Sequence, residues 1–252
     1  MSGWDVIVAG IAKAVQLILT GDPTVLQITF LSIVVSGTAT LFGALIGIPL
    51  GTVISLKQFR GKSAVVQVVN TLTGLPPVVV GLVLYLLLSS SGPLGFLRLL
   101  YTPQAMMLAQ LLMVVPITMS ITISSVSTVD PDVREAATSL GASPLDETMI
   151  MLNEARLGLI TSIVVGFGSA ISEVGAIMMV GGNLLGYTRV LTSAIVLLTN
   201  QGEFAEAIAL GIILLSLAFA VNILLTLLRS KFAGTSSYTA SILTSPTEQR
   251  SP

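Results

Sequence analysis

Charge-free runs long enough to cross a bilayer dominate this 252-residue chain. No Asp, Glu, Lys or Arg occurs from Pro23 to Leu56, from Ser63 to Leu97 or from Leu99 to Val129. Leu157 to Tyr187 holds Glu173 as its one charge, and Ala207 to Leu228 is again clean. A crossing helix needs about 20 mostly apolar residues, because the hydrocarbon core is about 30 Å thick and a helix rises about 1.5 Å per residue. Five spans are predicted, at roughly 26–55, 64–90, 104–128, 158–180 and 207–228. With 9 % charged and 53 % hydrophobic residues, the chain cannot cover a soluble surface with polar groups. The expected fold class is therefore an all-α integral membrane protein.

The residue types that are missing narrow the chemistry. With no His and no Cys, the chain has no means to build a disulfide, a Cys/His zinc site or a His-activated nucleophile. No catalytic residue, metal site or cofactor is expected on it. A net charge of −1 provides no general attraction for nucleic acid.

Val6 to Thr20 is apolar but only 15 residues long and interrupted by Lys13, so an interfacial helix is expected within an N-terminal segment 1–24. The MSGWDV start has neither a basic region nor a small-residue cleavage site, and no removable signal peptide is expected. The membrane domain covers 25–230, and the Ser/Thr-rich segment 231–252 should be a disordered tail. With five spans, Lys57, Arg60, Lys62, Arg134, Arg156, Arg229, Lys231 and Arg250 fall on one side, against Lys13, Arg98 and Arg189 on the other. The richer side should be cytoplasmic, which places the N-terminus outside and the C-terminus inside.

Two motifs mislead. Gly61-Lys62-Ser63 looks like the end of a phosphate-binding loop, but its first glycine is replaced by Leu56 and it follows a membrane helix rather than a strand. Ala137 and Gly141 fit a helix–turn–helix pattern, yet Arg134 alone faces five acidic residues between Asp130 and Ile150. Neither ATP binding nor DNA binding by this chain is expected.

The segment 130–156 reads as two short helices. Asp130 and Pro131 suit a helix start, and Val133, Ala136, Ala137 and Leu140 form one apolar stripe, with Glu135 on the opposite face. Gly141 stands where a left-handed residue ends a helix. Ser143, Pro144 and Asp146 then open a second helix with a capping box, whose apolar face is Leu145, Met149 and Leu152. Such a pair either packs on its own spans or presents a surface to a partner.

Glu135-Ala136-Ala137-Thr138-Ser139-Leu140-Gly141-Ala142-Ser143 resembles the EAA loop of ABC importer permeases. Where that family's loop commonly ends in I-x-L-P, this chain has Met151-Leu152-Asn153-Glu154-Ala155-Arg156. The resemblance implies a type I ABC importer fold in which Glu135, Ala136, Ala137, Leu140 and Gly141 dock on a separate cytoplasmic ATPase. ATP and Mg²⁺ would then belong to that partner.

Glu173 is the one charge inside a predicted span, and two roles fit it: a structural acceptor for a neighbouring helix or a group in a substrate pathway. Leu75-Pro76-Pro77 should kink or unwind the second span, for packing or to line a pathway. Gly43, Gly47 and Gly51, like Ser162, Gly166 and Ala170, recur every four residues and read as helix-packing stripes. Thr118, Thr122 and Ser125 form a mild polar stripe open to either use. Apolar Val190–Leu198 is too short to cross, so a short external or re-entrant helix is expected between Gly181 and Phe204.

Ile171-Ser172-Glu173-Val174-Gly175 and Val180-Gly181-Gly182-Asn183 resemble elements of the oxyanion branch of these permeases, for sulfate, molybdate and tungstate. The fuller run through Leu198 looks most like the tungstate permeases. The resemblance implies a homodimer around one path, two ATPase subunits and an external binding protein that delivers the anion. Pro76, Pro77, Glu173, Gly175, Gly182, Asn183 and Arg189 are then candidates for the path or gate, and Arg98 and Arg189 are the cations nearest the outside. A stand-alone channel or secondary anion carrier, or a permease for molybdate or sulfate, is the alternative.

Overall fold

Proline opens five of the eleven α-helices among the described residues. The computed structural model describes residues 3–243, with side chains to Leu224 and that of Leu227. It consists of α1 (Gly3–Thr20), α2 (Pro23–Leu56), α3 (Lys62–Leu72), α4 (Pro77–Leu88), α5 (Pro103–Ser127), α6 (Pro131–Ser139), α7 (Pro144–Glu154), α8 (Arg156–Ile171), α9 (Gly175–Gly181), α10 (Leu191–Gln201) and α11 (Phe204–Leu243). No strand occurs among the described residues. Pro23, Pro77, Pro103, Pro131 and Pro144 open α2, α4, α5, α6 and α7, where the missing amide is an orphan anyway and φ is already helical. Asp22, Thr102, Asp130 and Ser143 cap four of those starts by accepting from a first-turn amide.

α5 is the hub. Its face with Ala109, Val114, Thr118 and Thr122 is buried against α2 along the Gly43-Gly47-Gly51 stripe. Against α8 it meets the second stripe and Gly158 one turn before it: a Cβ on Gly166 would stand 3.0 Å from Val114 Cγ1, and one on Gly158 2.0 Å from Ser125 Oγ. Small residues let these backbones approach closely, which is what association in a bilayer needs. Val35, Val80, Leu84, Leu88, Met106 and Ala176 join α2, α4, α5 and α9 in one core cluster. Ile28, Leu191, Ala194, Leu210 and Ile213 join α2, α10 and α11 in a second.

Four helices are long and apolar enough to cross a membrane, or six when each bent pair counts as one span. The expected spans 26–55, 104–128 and 207–228 correspond to α2, α5 and the first part of α11. The other two are interrupted. The segment expected as 64–90 is α3 and α4, bent by 93° at Thr73–Pro76. The segment expected as 158–180 breaks at Ser172-Glu173-Val174 between α8 and α9. α8 is itself bent by 67° from α7.

Both described ends of the chain are more helical than expected. α1 begins at Gly3, ahead of the apolar stretch Val6–Thr20, and with 18 residues it meets the length for a crossing helix. It packs on α11, where a Cβ on Gly10 would stand 2.6 Å from Ile208 Cγ2. α11 is helical to Leu243, past the expected start of a disordered tail at 231. Residues 244–252 of that expected tail lie outside the described residues.

Candidate functional site

The α6–α7 hairpin is held by caps and an ion pair and has an uncovered apolar surface. Asp130 Oδ1 accepts from Asp132 N at 3.0 Å and starts α6. Gly141 takes φ +79° and turns the chain, with Ala142 N donating to Ala137 O at 3.0 Å. Ser143 then forms the expected capping box with Asp146. The Ser143 side-chain hydrogen bond, with help from its backbone N–H, holds the Asp146 carboxyl below the usual carboxylate range. Arg134 forms an ion pair with Glu147 across the hairpin and donates to Leu56 O at the end of α2, at 3.4 Å.

Of the predicted stripe, only Ala137 is buried and Val133 half-buried; Ala136 and Leu140 are exposed, as is Glu135. The stripe therefore does not pack on this chain as a whole: Leu140 is 89 % exposed, and Leu145 and Met149 on α7 are 79 % and 67 % exposed. These three side chains are left without cover from this chain.

Inside the bundle, the two interrupted spans face each other. Pro76 is extended and Pro77 starts α4, leaving the backbone unwound between α3 and α4. α4 packs on α9, where a Cβ on Gly81 would stand 2.7 Å from Ala176 Cα and one on Gly175 2.8 Å from Val78 Cγ2. Glu173 lies in the facing break and is 6 % exposed. Its Oε1 accepts from Ala176 N at 2.8 Å, capping α9, and its carbonyl accepts from Thr192 Oγ1 at 2.9 Å. Pro76, Pro77, Glu173 and Gly175 are thus brought together.

Gly182, Asn183 and Arg189 form a separate cluster in the loop before α10. Gly182 and Asn183 take φ +69° and +53°. Asn183 Oδ1 accepts from Arg189 Nε at 3.2 Å and from Ser193 Oγ at 2.9 Å, while Arg189 Nη2 donates to Asn183 O at 3.3 Å. Thr188 Oγ1 donates to Gly181 O at 2.6 Å and accepts from Leu184 N at 2.9 Å. Arg189 ties this loop down instead of pairing with Glu173; the ion pair among the described residues is Arg134–Glu147. The helix expected between Gly181 and Phe204 is α10, whose first turn is buried and whose Leu191 N donates to Ser32 Oγ at 2.9 Å.

Sequence reasoning missed Gln110. It is 1 % exposed, and its Nε2 donates to Ala170 O at 2.7 Å and to Ser36 Oγ at 3.2 Å, joining α5 to α2 and to the end of α8. Gln110 is the one polar residue between Ala105 and Ile117, and that is the available signal.

Comparison with known proteins agrees with this geometry. Residues 43–234 match the family described as binding-protein-dependent transport system inner membrane component. The tungstate uptake system permease protein TupB of Peptoclostridium acidaminophilum is 42 % identical over 218 residues, 86 % of this chain and 96 % of that protein. A probable anion ABC transporter permease protein of Haloferax volcanii is 41 % identical over 213 residues, 82 % of this chain and 92 % of that one. Among solved structures, the methionine transporter MetNI in inward-facing conformations shares the fold with a TM-score of 0.64 at 15 % identity, over 83 % of this chain and 96 % of that one. A bacterial alginate ABC importer does so with a TM-score of 0.68 at 20 % identity, over 82 % and 79 %. With relatives this similar over nearly their whole length, and with the interrupted spans and exposed hairpin in place, the chain belongs to the family of binding-protein-dependent transport system inner membrane components, the permeases of ABC importers.

Proposed function

We propose that this chain is the translocating subunit of an ATP-driven tungstate importer, that two copies surround one path, and that a separate ATPase docks on the α6–α7 hairpin. The observation that carries the ATPase reading is the exposed Leu140-Leu145-Met149 surface beside Glu135 and Gly141. Tungstate rests on the 42 % identity to a tungstate uptake permease over 86 % of this chain. ATP and Mg²⁺ sit on the partner, and an external binding protein brings the anion. The hairpin side is cytoplasmic, in keeping with Lys57, Arg60, Lys62, Arg134 and Arg156 at that end.

A push on the hairpin reaches the membrane by two routes. Arg134 couples α6 to α7 and to the inner end of α2, and α7 runs through Ala155 into α8. α8 ends at the Glu173 break opposite Pro76-Pro77, where short helix segments can shift without breaking a long helix. Interrupted backbone is tolerated at membrane depth where protein or a water-filled cavity surrounds it.

The test is uptake by proteoliposomes holding this chain, the ATPase and the binding protein. Tungstate accumulation that requires ATP, together with co-purification of the ATPase on a tagged chain, supports the reading. Transport without ATP by a chain that never recruits an ATPase refutes it.

A further inference from the structure

α3 is amphipathic within a charge-free, largely apolar segment. Ser63, Gln67, Asn70 and Thr71 fall at i, i+4, i+7 and i+8 and are all exposed. On its other face Val69 is buried, and it lines with Leu72 an apolar groove shared with α2, α4 and α5. The inner half of α5 repeats the pattern with Ser120 and Ser124, half-buried and exposed. The two stripes meet where Ser120 Oγ donates to Asn70 Oδ1 at 2.8 Å. Asn70 lies eight residues from the start of α3 and Ser120 seven from the end of α5, so both stand about 10–12 Å from the same end of the molecule.

Amides and hydroxyls exposed to hydrocarbon are unfavourable, so this face is not built for lipid. The Ser120 bond uses Asn70's acceptor oxygen, which leaves both Nδ2 hydrogens facing outward without a protein partner among the described residues. The Gln67 amide and the Ser124 hydroxyl have none there either. The segments Ser63–Leu97 and Leu99–Val129 hold no cation; Lys57 and Arg60 wait in the exposed loop before α3, and Lys62, which opens α3, donates its Nζ to Ser55 O at 2.6 Å. An array of neutral donors replaces part of an anion's hydration, yet holds it weakly enough to let it leave.

We infer that Gln67, Asn70 and Ser124 line the cytoplasmic half of the anion path as a strip of uncharged donors for a tetrahedral oxyanion, with Ser120 as the positioning residue that turns the Asn70 amide outward. This rests on the importer reading above.

The chain has no native cysteine, so single cysteines can report the path directly. In inside-out vesicles holding the full transporter without nucleotide, a membrane-impermeant charged thiosulfonate should label Q67C, N70C and S124C. It should not label V65C or V83C, which carry exposed apolar positions. Sodium tungstate should slow labelling of the first three; Ser120→Ala should remove that protection at Q67C, and Ser120→Thr should restore it. Equal labelling of both sets, no labelling of the polar set, or labelling indifferent to tungstate, molybdate and sulfate overturns the proposal. As a second arm, Asn70→Asp keeps the oxygen for Ser120 but puts a negative charge in the strip. ATP-driven uptake should fall by about tenfold or more with ATP hydrolysis retained, and wild-type uptake by this variant also overturns it. The labelling needs no ATP-driven transport, so its outcome is read separately from whether the wild-type complex imports tungstate.

Discussion

Thr118 Oγ1 sits where a side chain at Gly47 would have to be: a Cβ there would stand 1.9 Å from that oxygen. The hydroxyl is not free to move, because it donates to Gly43 O at 3.0 Å and lies within 3.1 Å of Val114 O and 2.9 Å of Val115 O. The α2–α5 seam is thus set by a missing methyl on one helix and a held hydroxyl on the other. Gly47→Ala should destabilise the chain by about 1–3 kcal/mol, as overpacking does. Gly47→Ala combined with Thr118→Ser should recover little, because the oxygen stays in place. Thermal unfolding in detergent measures both, and an unchanged midpoint for Gly47→Ala would show that the seam can open.

The docking and transmission roles proposed for the hairpin are separable by mutation. Gly141 at φ +79° is costly for any residue with a Cβ, by about 1–2 kcal/mol, and Arg134→Ala removes the link from α6 to Glu147 and Leu56. Gly141→Val and Arg134→Ala should leave ATP hydrolysis running while tungstate uptake per ATP falls. Leu140→Ser with Leu145→Ser should instead reduce the amount of ATPase that co-purifies, since those side chains are 89 % and 79 % exposed and hold nothing in this chain. The two readouts are the ATP-to-tungstate ratio in proteoliposomes and ATPase stoichiometry after purification. Identical behaviour of both pairs would remove the distinction.

Which parts of this architecture are legible in the sequence follows from what breaks each helix. Pro76-Pro77 breaks the second span by removing amides and fixing φ, effects local enough to read directly, although the 93° turn exceeds a kink. Asp130-Pro131 and Ser143-Pro144-Asp146 are equally local, and both caps form where expected. The break at Ser172–Val174 has no proline. It is held by distant partners, namely Thr192 on the Glu173 carbonyl and Gln110 on Ala170 O, and no window of sequence contains such pairings. The Val133-Ala136-Ala137-Leu140 stripe shows the opposite difficulty: periodicity reveals an apolar face but not whether this chain covers it.

The Ser143 capping box should leave a signature in acid. Its donors hold the Asp146 carboxyl below the ordinary value, which is about 3.9 for an unfolded Asp. A depressed folded value contributes stability fully above the unfolded value, and the contribution fades as pH falls through the lower folded value. Ser143→Ala removes the larger of the two hydrogen-bond causes. The gap in unfolding temperature between wild type and Ser143→Ala should stay constant from about pH 7 to 5 and shrink below about pH 4. A gap that widens on acidification would place the effect elsewhere.

Glu173 can be resolved into its acceptor and its charge. Oε1 takes the Ala176 amide at 2.8 Å, a bond that closes the first turn of α9 and fixes Gly175 against Val78. Glutamine can offer the same oxygen, whereas alanine offers none. Glu173→Ala should therefore lower stability by about 0.5–2 kcal/mol, the usual worth of such a cap, and reduce tungstate uptake by loosening the α4–α9 contact. Glu173→Gln should retain most of the stability, and uptake should follow the stability. Both are read from thermal unfolding beside initial uptake rates. Were Glu173→Gln to stay as stable as wild type yet lose uptake as fully as Glu173→Ala, the negative charge would be acting on the path itself, and the cap would be secondary.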